Sequence, residues 1–330
     1  MDPRARRPFG RSGVELSVLG LGGTGVGGIF TRNDDATGQA TVQRAWDLGI
    51  RYFDTAPYYG HGASERRYGA VLRDKPRDEF VLSTKVGRML VPGDDSAKPA
   101  HWQDGEPWRA VFDYSPEAVR RSLAMSRERL GIERLDIVYV HDAHDHVADA
   151  LAGAEPELRR IRGAGEVRAF GAGINWVAPC VELARGGDFD GFLIAGRYTL
   201  LDQSAADELF PICAQRNLGI VIGGPFNSGI LATGAVPGAY FQYQPAGDEV
   251  MARVRRMQAI CDAHGVPLPA AALQFPLAHP VVSSVLVGAR SAQEIADNAR
   301  YMAHPIPDAF WDALKSAGLL PAALPVPVAA

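Results

Sequence analysis

The sequence alternates between short apolar segments and longer segments with helical spacing, and the alternation repeats about eight times. Near-continuous apolar runs separated by helical stretches are typical of parallel strands whose sheet is covered by helices. Eight such units in 330 residues fit a closed (β/α)8 barrel of the TIM type, an α/β fold, better than two smaller domains. No linker rich in Pro or Ser interrupts the series, so the sequence predicts one domain over residues 1–330.

The predicted strands and helices cover most of the chain. Strands are predicted at residues 18–22, 51–54, 80–85, 135–141, 167–171, 191–195, 219–222 and 282–287. Helices are predicted at residues 40–48, 64–72, 115–130, 148–163, 178–185, 205–216, 248–264 and 291–301. Outside the repeat we expect an N-terminal β-hairpin over residues 7–16, a long polar insertion loop at about 88–113, and a C-terminal helix with a tail.

Ionisable side chains stand at the ends of three successive predicted strands. Asp54 ends the strand that opens the segment Arg51-Tyr-Phe-Asp-Thr-Ala-Pro-Tyr-Tyr-Gly60, and Tyr59 follows five residues later. Lys85 and His141 end the next two strands. Because the carboxyl ends of barrel strands meet at one face, where active sites are built, the sequence predicts that these four side chains lie together.

The four residue types are complementary for proton transfer. A tyrosine has an ordinary pKa of about 10, and a neighbouring ammonium such as that of Lys85 lowers this pKa by stabilising the phenolate. A carboxylate beside the lysine keeps it charged, and a histidine orients a substrate oxygen by hydrogen bonding. Taken alone, Asp54 is explained as a turn or helix-cap residue and Tyr59 as packing. Lys85 is harder to explain, since a charge at the end of a buried strand is costly unless it is paired.

Three motifs carry a resemblance to a known family. The segments Phe53-Asp-Thr-Ala-Pro-Tyr-Tyr-Gly60, Ser83-Thr-Lys85 and Val140-His-Asp142 resemble the active-site motifs of the aldo-keto reductases. The resemblance implies a barrel that binds an extended nicotinamide cofactor without a Rossmann domain. It also implies that Tyr59 transfers the proton, Lys85 lowers the pKa of Tyr59, Asp54 anchors Lys85, and His141 orients the substrate.

A glycine-rich segment after the first predicted strand offers a competing reading. Gly20-Leu-Gly-Gly-Thr-Gly25 matches the Gly-x-Gly-x-x-Gly pattern of dinucleotide-binding Rossmann turns. That mechanism needs a helix to begin at the third glycine, so that its amides face the pyrophosphate. Here a non-helical stretch from Val26 to Ala36 follows instead. We therefore expect a glycine-rich loop at the barrel mouth, with Gly23 and Thr24 close to the cofactor.

The nicotinamide end of the implied cofactor site departs from the usual family pattern. Of the Ser-Asn pair that usually follows the fifth strand, only Asn175 is present. The usual glutamine of the sixth strand is replaced by Ala195, and the aromatic residue that often stacks on nicotinamide is replaced by Gly223. The nearby side chains able to substitute are Phe226, Asn227 and Ser228.

The adenosine end matches the family more closely. On the last β/α unit, the segment Gly288-Ala-Arg-Ser291 resembles the family's adenine and 2′-phosphate site, together with Gln293, Glu294 and Asn298. Arg290 suits a 2′-phosphate because a guanidinium binds phosphate through paired hydrogen bonds, but it is also able to stack on adenine. The cofactor is therefore expected to be NAD or NADP. An ordinary helix start is the alternative for this segment.

The departures point to one branch of the family. Residues 192–203, 223–231 and 271–280 resemble the bacterial aldose 1-dehydrogenases, which include L-fucose (D-threo-aldose) dehydrogenases and are related to pyridoxal 4-dehydrogenases. The implied reaction is oxidation of a sugar hemiacetal, of L-fucose, D-arabinose or a similar aldose, at C1 to the lactone. Trp102 and Trp108 in the insertion are expected to close over the sugar ring, unless the insertion is a variable exposed loop. Trp176 is expected either to line the pocket or to pack under the barrel mouth.

Composition excludes several other classes of protein. The net charge of −4 and the even spread of Lys and Arg argue against nucleic-acid binding. No apolar stretch approaches the roughly 18 residues of a membrane span, and the basic N-terminal residues lack the apolar run of a signal peptide. Three widely spaced cysteines are expected to be reduced, buried thiols of a cytoplasmic protein. We expect a monomer or small homo-oligomer whose partner is a small-molecule sugar or aldehyde.

Other functions remain open to test. The run His141-Asp-Ala-His-Asp-His146 suggests a metal-dependent hydrolase, but side chains that alternate in so short a loop rarely converge on one ion, and no metal site is expected. A non-catalytic nucleotide-binding subunit would not need all four active-site residues. Pyridoxal 4-dehydrogenase and NADPH-dependent reduction of aldehydes or ketones are alternatives within the enzyme class.

Overall fold

Parallel strands close into a barrel in the computed structural model, which describes residues 1–93, 102 and 108–328. The strands, in chain order, are β1 Arg6–Pro8, β2 Glu15–Ser17, β3 Leu19–Gly22, β4 Tyr52–Asp54, β5 Val81–Val86, β6 Arg88–Pro92, β7 Trp108–Phe112, β8 Ile137–His141, β9 Ala169–Ile174, β10 Gly191–Ala195, β11 Gly219–Gly223, β12 Tyr240–Phe241, β13 Gln244–Pro245 and β14 Val282–Gly288. The closed barrel consists of β3, β4, β5, β8, β9, β10, β11 and β14, each beside the next along the chain. The predicted (β/α)8 barrel is confirmed, and each predicted strand overlaps a barrel strand.

Helices connect the barrel strands. They are α1 Gly23–Val26, α2 Asp35–Asp47, α3 Ala63–Leu72, α4 Pro116–Leu130, α5 Val147–Asp149, α6 Glu155–Gly163, α7 Val177–Gly186, α8 Leu209–Arg216, α9 Ile230–Thr233, α10 Asp248–His264, α11 Leu268–Gln274, α12 Ala292–Ala303 and α13 Asp308–Ser316. A π-helical turn, Ala150–Ala154, joins α5 to α6. Local signals explain several ends. For example, Ser115 accepts a hydrogen bond from the Ala118 amide before α4, and the left-handed Gly131 ends it.

Helix α11 was missed from the sequence, as were the short helices α1 and α9. All residues of α11 are buried, so this helix has no polar face and no helical alternation of polarity. The helix predicted at residues 40–48 begins earlier, at Asp35, because the Asp34 carboxylate accepts a hydrogen bond from the Thr37 amide and caps a polar first turn. The differences at α11 and at the start of α2 both arise where polar and apolar residues do not alternate with the period of a helix.

The core has an outer and an inner layer. The larger cluster lies between the barrel and the surrounding helices. The smaller cluster fills the barrel interior and includes Phe9, Val14 and Leu16 from the segment of the β1–β2 hairpin. The Phe9 ring is fully buried and packs edge-on against Tyr139 of β8, with ring centroids 6.2 Å apart. The predicted N-terminal hairpin therefore closes one end of the barrel and leaves the carboxyl ends of the strands for the site.

The predicted insertion loop is partly wrong. Strands β6 and β7 form an antiparallel hairpin in which Arg88 lies opposite Phe112 and Pro92 lies opposite Trp108. Of the insertion, residues 94–101 and 103–107 lie outside the described part of the chain. Trp102 is described, and its backbone bridges to Ile29. The hairpin was missed because its strands are short and interrupt the β/α repeat.

The expected glycine-rich loop after β3 is also corrected. Gly23–Val26 forms the single helical turn α1, and only then does an irregular segment lead to α2. Close packing explains the glycines here, since a Cβ on Gly27 would lie 2.9 Å from the carbonyl carbon of Tyr59. The segment thus belongs to the barrel mouth, as expected, although not as a loop.

Candidate active site

A buried ion pair lies at the carboxyl ends of neighbouring strands. Lys85 Nζ is 2.5 Å from Asp54 Oδ2 and donates a second hydrogen bond to the Thr55 carbonyl oxygen at 2.9 Å. Both charged side chains are only 1% exposed. The parallel register places Ser83 opposite Asp54, and its hydroxyl donates to Asp54 Oδ1 at 2.7 Å. Since side chains alternate along a strand, Lys85 faces the same side as Ser83 and meets the same carboxylate.

The two charges of this pair depend on each other. Burial raises the pKa of Asp54, whereas the positive charge of Lys85 opposes that rise. Burial lowers the pKa of Lys85, whereas the negative charge of Asp54 opposes that fall. Each group is therefore held in its charged form by its partner, as expected for ions that have left water.

Tyr59 lies beside this pair on the turn after β4. Its ring centroid is 4.6 Å from Lys85 Nζ, and its ring stands perpendicular to the His141 ring at a centroid distance of 5.6 Å. The Trp102 ring lies on another side at 5.9 Å. The structure thus brings the four predicted residues together at the barrel mouth.

Burial dominates the protonation of Tyr59 and raises its pKa well above the usual value. The predicted lowering of this pKa by Lys85 stays a prediction. The carboxylates of Asp54 and Asp142 raise it further, and Arg88 is the cation that lowers it. Tyr59 is therefore protonated at neutral pH.

His141 is buried in its neutral form. Burial, opposed by Asp142 and assisted by the positive charges of Lys85 and Arg88, lowers its pKa to about 3. The Tyr114 hydroxyl donates to the His141 carbonyl oxygen at 2.7 Å and holds the end of β8. A neutral imidazole at the mouth is able to donate one hydrogen bond to a substrate oxygen.

Sequence reasoning missed several residues that surround these groups. Arg88 stacks on Tyr58, with its Cζ 3.3 Å from the ring centroid, and donates to Asp142 Oδ2 at 2.7 Å. Behind the site, Glu65 is fully buried, accepts from the Thr84 hydroxyl at 2.7 Å and pairs with Arg129. The only sequence signals were the position of Asp142 directly after His141 and the position of Arg88 two residues after the end of β5.

The predicted nicotinamide contacts cluster beside β10. Asn227 is buried, and its Nδ2 donates to the Gly196 carbonyl oxygen at 3.3 Å. Its Oδ1 has no hydrogen-bond partner within the described residues. This amide therefore lies next to Ala195, where the usual glutamine is missing, and offers a free acceptor there.

The neighbouring predicted contacts adopt an unusual backbone. Asn227 and Ser228 both have left-handed φ angles, of 47° and 61°. The Ser228 hydroxyl accepts a hydrogen bond from the Tyr243 amide at 2.9 Å, which ties this turn to the β12–β13 hairpin. Phe226 is partly buried against the core, and Asn175 interacts with the Tyr243 side chain. Asn175 and Ser228 are thus both covered by that hairpin.

The predicted adenosine contacts lie at the end of β14 and on α12. Arg290 pairs with Glu294, with Nε 3.0 Å and Nη2 2.6 Å from the carboxylate, so its charge is largely neutralised. Gly288 faces Thr24, whose Oγ1 would be 3.5 Å from a Cβ at that position. Gln293 is exposed, Asn298 and Gly23 are buried, and the Ser291 hydroxyl caps α12 by accepting from the Glu294 amide.

The three predicted substrate tryptophans have different positions. Trp102 contacts Tyr59 and also Tyr58, with ring centroids 5.4 Å apart for the second pair. Trp176 is 44% exposed and stacks on His144 at a centroid distance of 3.9 Å, so it does not pack under the barrel mouth. Trp108 lies opposite Pro92, at the other end of β7 from Phe112, which is roughly 13 Å along a strand. The structure therefore places Trp102 beside Tyr59, whereas Trp108 lies at the end of the β6–β7 hairpin that is farther from Arg88.

The histidine-rich segment after β8 does not form a metal centre in the described part of the chain. Within it, no group of three or more His, Cys, Asp or Glu side chains is placed to hold a metal ion. His141, His144 and His146 each face a different neighbouring aspartate, and these are Asp142, Asp145 and Asp149. No described helix has the length and apolar character needed to cross a membrane.

Comparison with known proteins identifies a family and two similar relatives. The model of the Aldo/keto reductase family matches residues 18–318. The chain is 43% identical to a D-threo-aldose 1-dehydrogenase of a Pseudomonas species over 94% of this chain and 96% of the relative. It is 40% identical to a pyridoxal 4-dehydrogenase of Microbacterium luteolum over 96% of this chain and 98% of the relative.

Solved structures share the fold. An aldo-keto reductase from Bacillus halodurans in its holo form has a TM-score of 0.78 at 24% identity, with 97% of each chain covered. The glycerol dehydrogenase of Gluconobacter oxydans has a TM-score of 0.77 at 22% identity, covering 97% of this chain and 98% of the other. At these identities the structural likeness concerns the barrel alone.

The buried ion pair predicts a stability effect. Lys85→Met leaves the Asp54 carboxylate buried without a counter-charge, and we expect a loss of about 3–5 kcal/mol in the free energy of unfolding at neutral pH. Burial raises the pKa of the unpaired Asp54. The folded state is therefore not penalised while this carboxyl is protonated, and it is destabilised as the pH rises through the pKa and the carboxyl ionises. The loss measured by denaturant unfolding is therefore expected to shrink at acidic pH.

The matched control for this experiment is the double variant Asp54→Asn/Lys85→Met, which removes both charges. We expect it to be more stable than Lys85→Met alone. A single variant as stable as the wild type would contradict the mutual dependence of the two charges.

Proposed function

Because this chain belongs to the aldo/keto reductase family and is an NAD(P)-dependent oxidoreductase, we propose that it oxidises an aldose at C1 to the lactone. The observation that carries the proposal is the convergence of Tyr59, the Lys85–Asp54 pair and His141 at one mouth. The relatives named for D-threo-aldose and pyridoxal support a substrate of that size with a carbon that can be oxidised by hydride removal.

In the proposed reaction, Tyr59 acts as the base. The anomeric hydroxyl gives its proton to the Tyr59 oxygen while the C1–H bond breaks and the C1–O bond becomes the lactone carbonyl. Bound NAD(P)+ supplies the hydride acceptor. His141 donates a hydrogen bond to the reacting oxygen and fixes its direction, and Lys85 stabilises the phenolate when Tyr59 is unprotonated. Because burial raises the pKa of Tyr59, oxidation is expected to be faster at alkaline pH.

The residues near β10 fit the nicotinamide carboxamide. The free Oδ1 of Asn227 is a hydrogen-bond acceptor for the amide group of the carboxamide. Asn175 is the second polar contact, while Phe226 and Ser228 border the same turn. In this proposal Asn227 takes the place of the missing glutamine at Ala195.

Aromatic side chains support a ring substrate. Trp102 packs beside Tyr59, and Trp176 offers an exposed indole face next to His144. A sugar presents apolar C–H faces that suit such surfaces, and a pyridine ring stacks on them equally well. Pyridoxal is therefore the second candidate, favoured by the 40% identical relative. NADPH-dependent reduction of aldehydes or ketones would run the hydride and proton transfers in the opposite direction, and on a carbonyl group instead of a lactone.

We also propose a cytoplasmic location and a monomer or small homo-oligomer. The three cysteines are buried and free, which suits a reducing compartment.

A substrate panel tests the proposal. Purified protein is mixed with L-fucose, D-arabinose, D-glucose or pyridoxal, each with NAD+ or NADP+, and separately with simple aldehydes and NADPH, and nicotinamide absorbance is followed. We expect the highest kcat/KM for L-fucose or D-arabinose. A preference for pyridoxal would select the second candidate, and turnover only of simple aldehydes with NADPH would reject both dehydrogenase readings.

Tyr59→Phe tests the assignment of the base. Without the phenolic oxygen the proposed proton acceptor is missing, and we expect kcat to fall by roughly 100-fold or more. Cofactor affinity, measured by fluorescence titration, is expected to remain within about twofold because the ring is retained. A variant with near-normal kcat would show that another group takes the proton.

The Arg290–Glu294 pair predicts the choice of cofactor. The Glu294 carboxylate neutralises Arg290 and repels a 2′-phosphate, so we propose that NAD is preferred. Glu294→Gln frees the guanidinium, and we expect NADP+ affinity to rise by roughly 10-fold with little change for NAD+. Arg290→Ala in the Glu294→Gln background is the control, and it should abolish the gain. Equal changes for both cofactors would mean that Arg290 only stacks on adenine.

A further inference from the structure

An ion pair to which the proposed reaction assigns no role lies directly against His141. Arg88 Nη1 donates to Asp142 Oδ2 at 2.7 Å, and the same oxygen is 3.6 Å from His141 Nε2. The Arg88 and Asp142 side chains are mostly buried, with exposures of 21% and 15%. The carboxylate therefore presents its charge to one particular ring nitrogen of the histidine.

The backbone holds both members of this pair in place. Asp142 has a left-handed φ of 51°, and its amide donates to the Gly173 carbonyl oxygen at 3.0 Å. Before Arg88, Gly87 has a φ of 93°, and a Cβ there would lie 2.2 Å from the Tyr114 ring. The chain thus passes close to Tyr114 only because residue 87 is glycine, and this approach places Arg88 at the mouth.

Aromatic rings hold the guanidinium itself. The Arg88 Cζ lies 3.3 Å from the Tyr58 ring centroid and 5.1 Å from that of Phe112. Stacking of this kind is stabilising, and more so when the cation is partly desolvated. Arg88 therefore has little freedom to leave Asp142.

The two nitrogens of His141 have different surroundings. Nδ1 is buried and has no hydrogen-bond partner within residues 1–93, 102 and 108–328, whereas Nε2 faces the Asp142 carboxylate. A neutral imidazole carries one ring proton, and the site of that proton depends on the groups around the two nitrogens. A proton on Nε2 is stabilised by the neighbouring anion, while a proton on Nδ1 gains no partner.

We propose that Arg88 and Asp142 are a positioning pair that holds His141 as the tautomer protonated at Nε2, ready to donate to the reacting oxygen. This inference rests on the proposed function, in which that donor orients the substrate. Arg88 acts through Asp142, and Asp142 acts through His141. Neither residue belongs to the group of four that the sequence predicted.

The charge states agree with this role. Burial alone would raise the pKa of Asp142, but its net shift is downward, to which the charge and the hydrogen bond of Arg88 contribute, so the carboxylate is ionised at neutral pH. Burial lowers the pKa of His141 to about 3, so the ring is neutral. What the pair controls is therefore the position of the ring proton and not the charge of the ring.

The same pair affects Tyr59 with opposite signs. The charged and titratable groups that face Tyr59 are Asp54, Lys85, Arg88, His141, Asp142 and Tyr243. Arg88 lowers the pKa of Tyr59 and Asp142 raises it. Loss of Arg88 therefore moves the pH profile of oxidation toward alkaline pH, and loss of Asp142 moves it toward acidic pH.

The decisive test measures the tautomer directly. Full-length protein with 15N-labelled histidine is studied by NMR, and the His141 ring signals are assigned by their loss in His141→Gln. We expect an Nε2-protonated ring in the wild type, and a shift toward the Nδ1-protonated form in Asp142→Asn, which preserves side-chain volume. Asp145→Asn, an exposed aspartate of the same segment, is the matched control and should leave the signals unchanged.

Kinetics provide the second readout. We expect Asp142→Asn and Arg88→Met to lower kcat by roughly 10-fold or more, because a donor to the reacting oxygen is misplaced, and to shift the pH profiles in opposite directions. Arg88→Lys keeps the charge and guards against a folding defect in Arg88→Met, and Arg109→Met is an exposed arginine control on the same hairpin.

The outcomes separate this inference from the function on which it rests. An Nδ1-protonated wild-type ring, or an unchanged ring in Asp142→Asn, would overturn the positioning pair. If the tautomer depends on Asp142 but no aldose or pyridoxal is turned over, the pair stands and the proposed substrate fails. Shifts of the two pH profiles in the same direction would also contradict the pair. Arg88 and Asp142 act on the pKa of Tyr59 in opposite directions, whereas a merely structural defect gives no reason for opposite shifts.

Discussion

The buried ion pair between Lys85 and Asp54 is the interaction on which the rest of the site depends. Moving two charges out of water is costly, and the cost is offset only when each ion has the other and further hydrogen bonds beside it. Ser83 and the Thr55 carbonyl oxygen supply those bonds. The pair forms because the neighbouring parallel strands β4 and β5 bring a carboxylate and an ammonium to the same level of the barrel interior. Tyr59 lies beside the pair at that level.

A second carboxylate–cation pair, Asp142 with Arg88, lies on the other side of the phenol. The two ion pairs differ in the neighbouring groups on which their charges act. Lys85 is hydrogen-bonded to Asp54 and the Thr55 carbonyl oxygen, whereas Asp142 faces the His141 ring and Arg88 lowers the pKa of Tyr59. The proton affinity of the phenol is thus a balance among several charges, and the hairpin that carries Arg88 contributes to the chemistry although it lies outside the β/α repeat.

Much of the fold and the four central residues could be predicted because their signals are local. Apolar strands separated by helical segments reveal the barrel, and a lysine at the end of a buried strand is costly enough to demand a partner nearby. The failures have equally physical reasons. Helix α11 is buried on every side and lacks a period, and the β6–β7 hairpin is short. Arg88 was missed because its partner Asp142 is 54 residues away along the chain.

The sequence by itself determined which side chains stand at the carboxyl ends of the strands, since the alternation of strands and helices dictates the barrel and the barrel gathers those ends at one face. Only the tertiary structure decided how their charges are shared. It pairs Lys85 with Asp54. It also pairs Arg88 with Asp142 beside the site, and Arg290 with Glu294 near α12. The reason is that electrostatic energies in a poorly solvated site depend on distances of a few ångströms and on burial, which no local sequence pattern encodes.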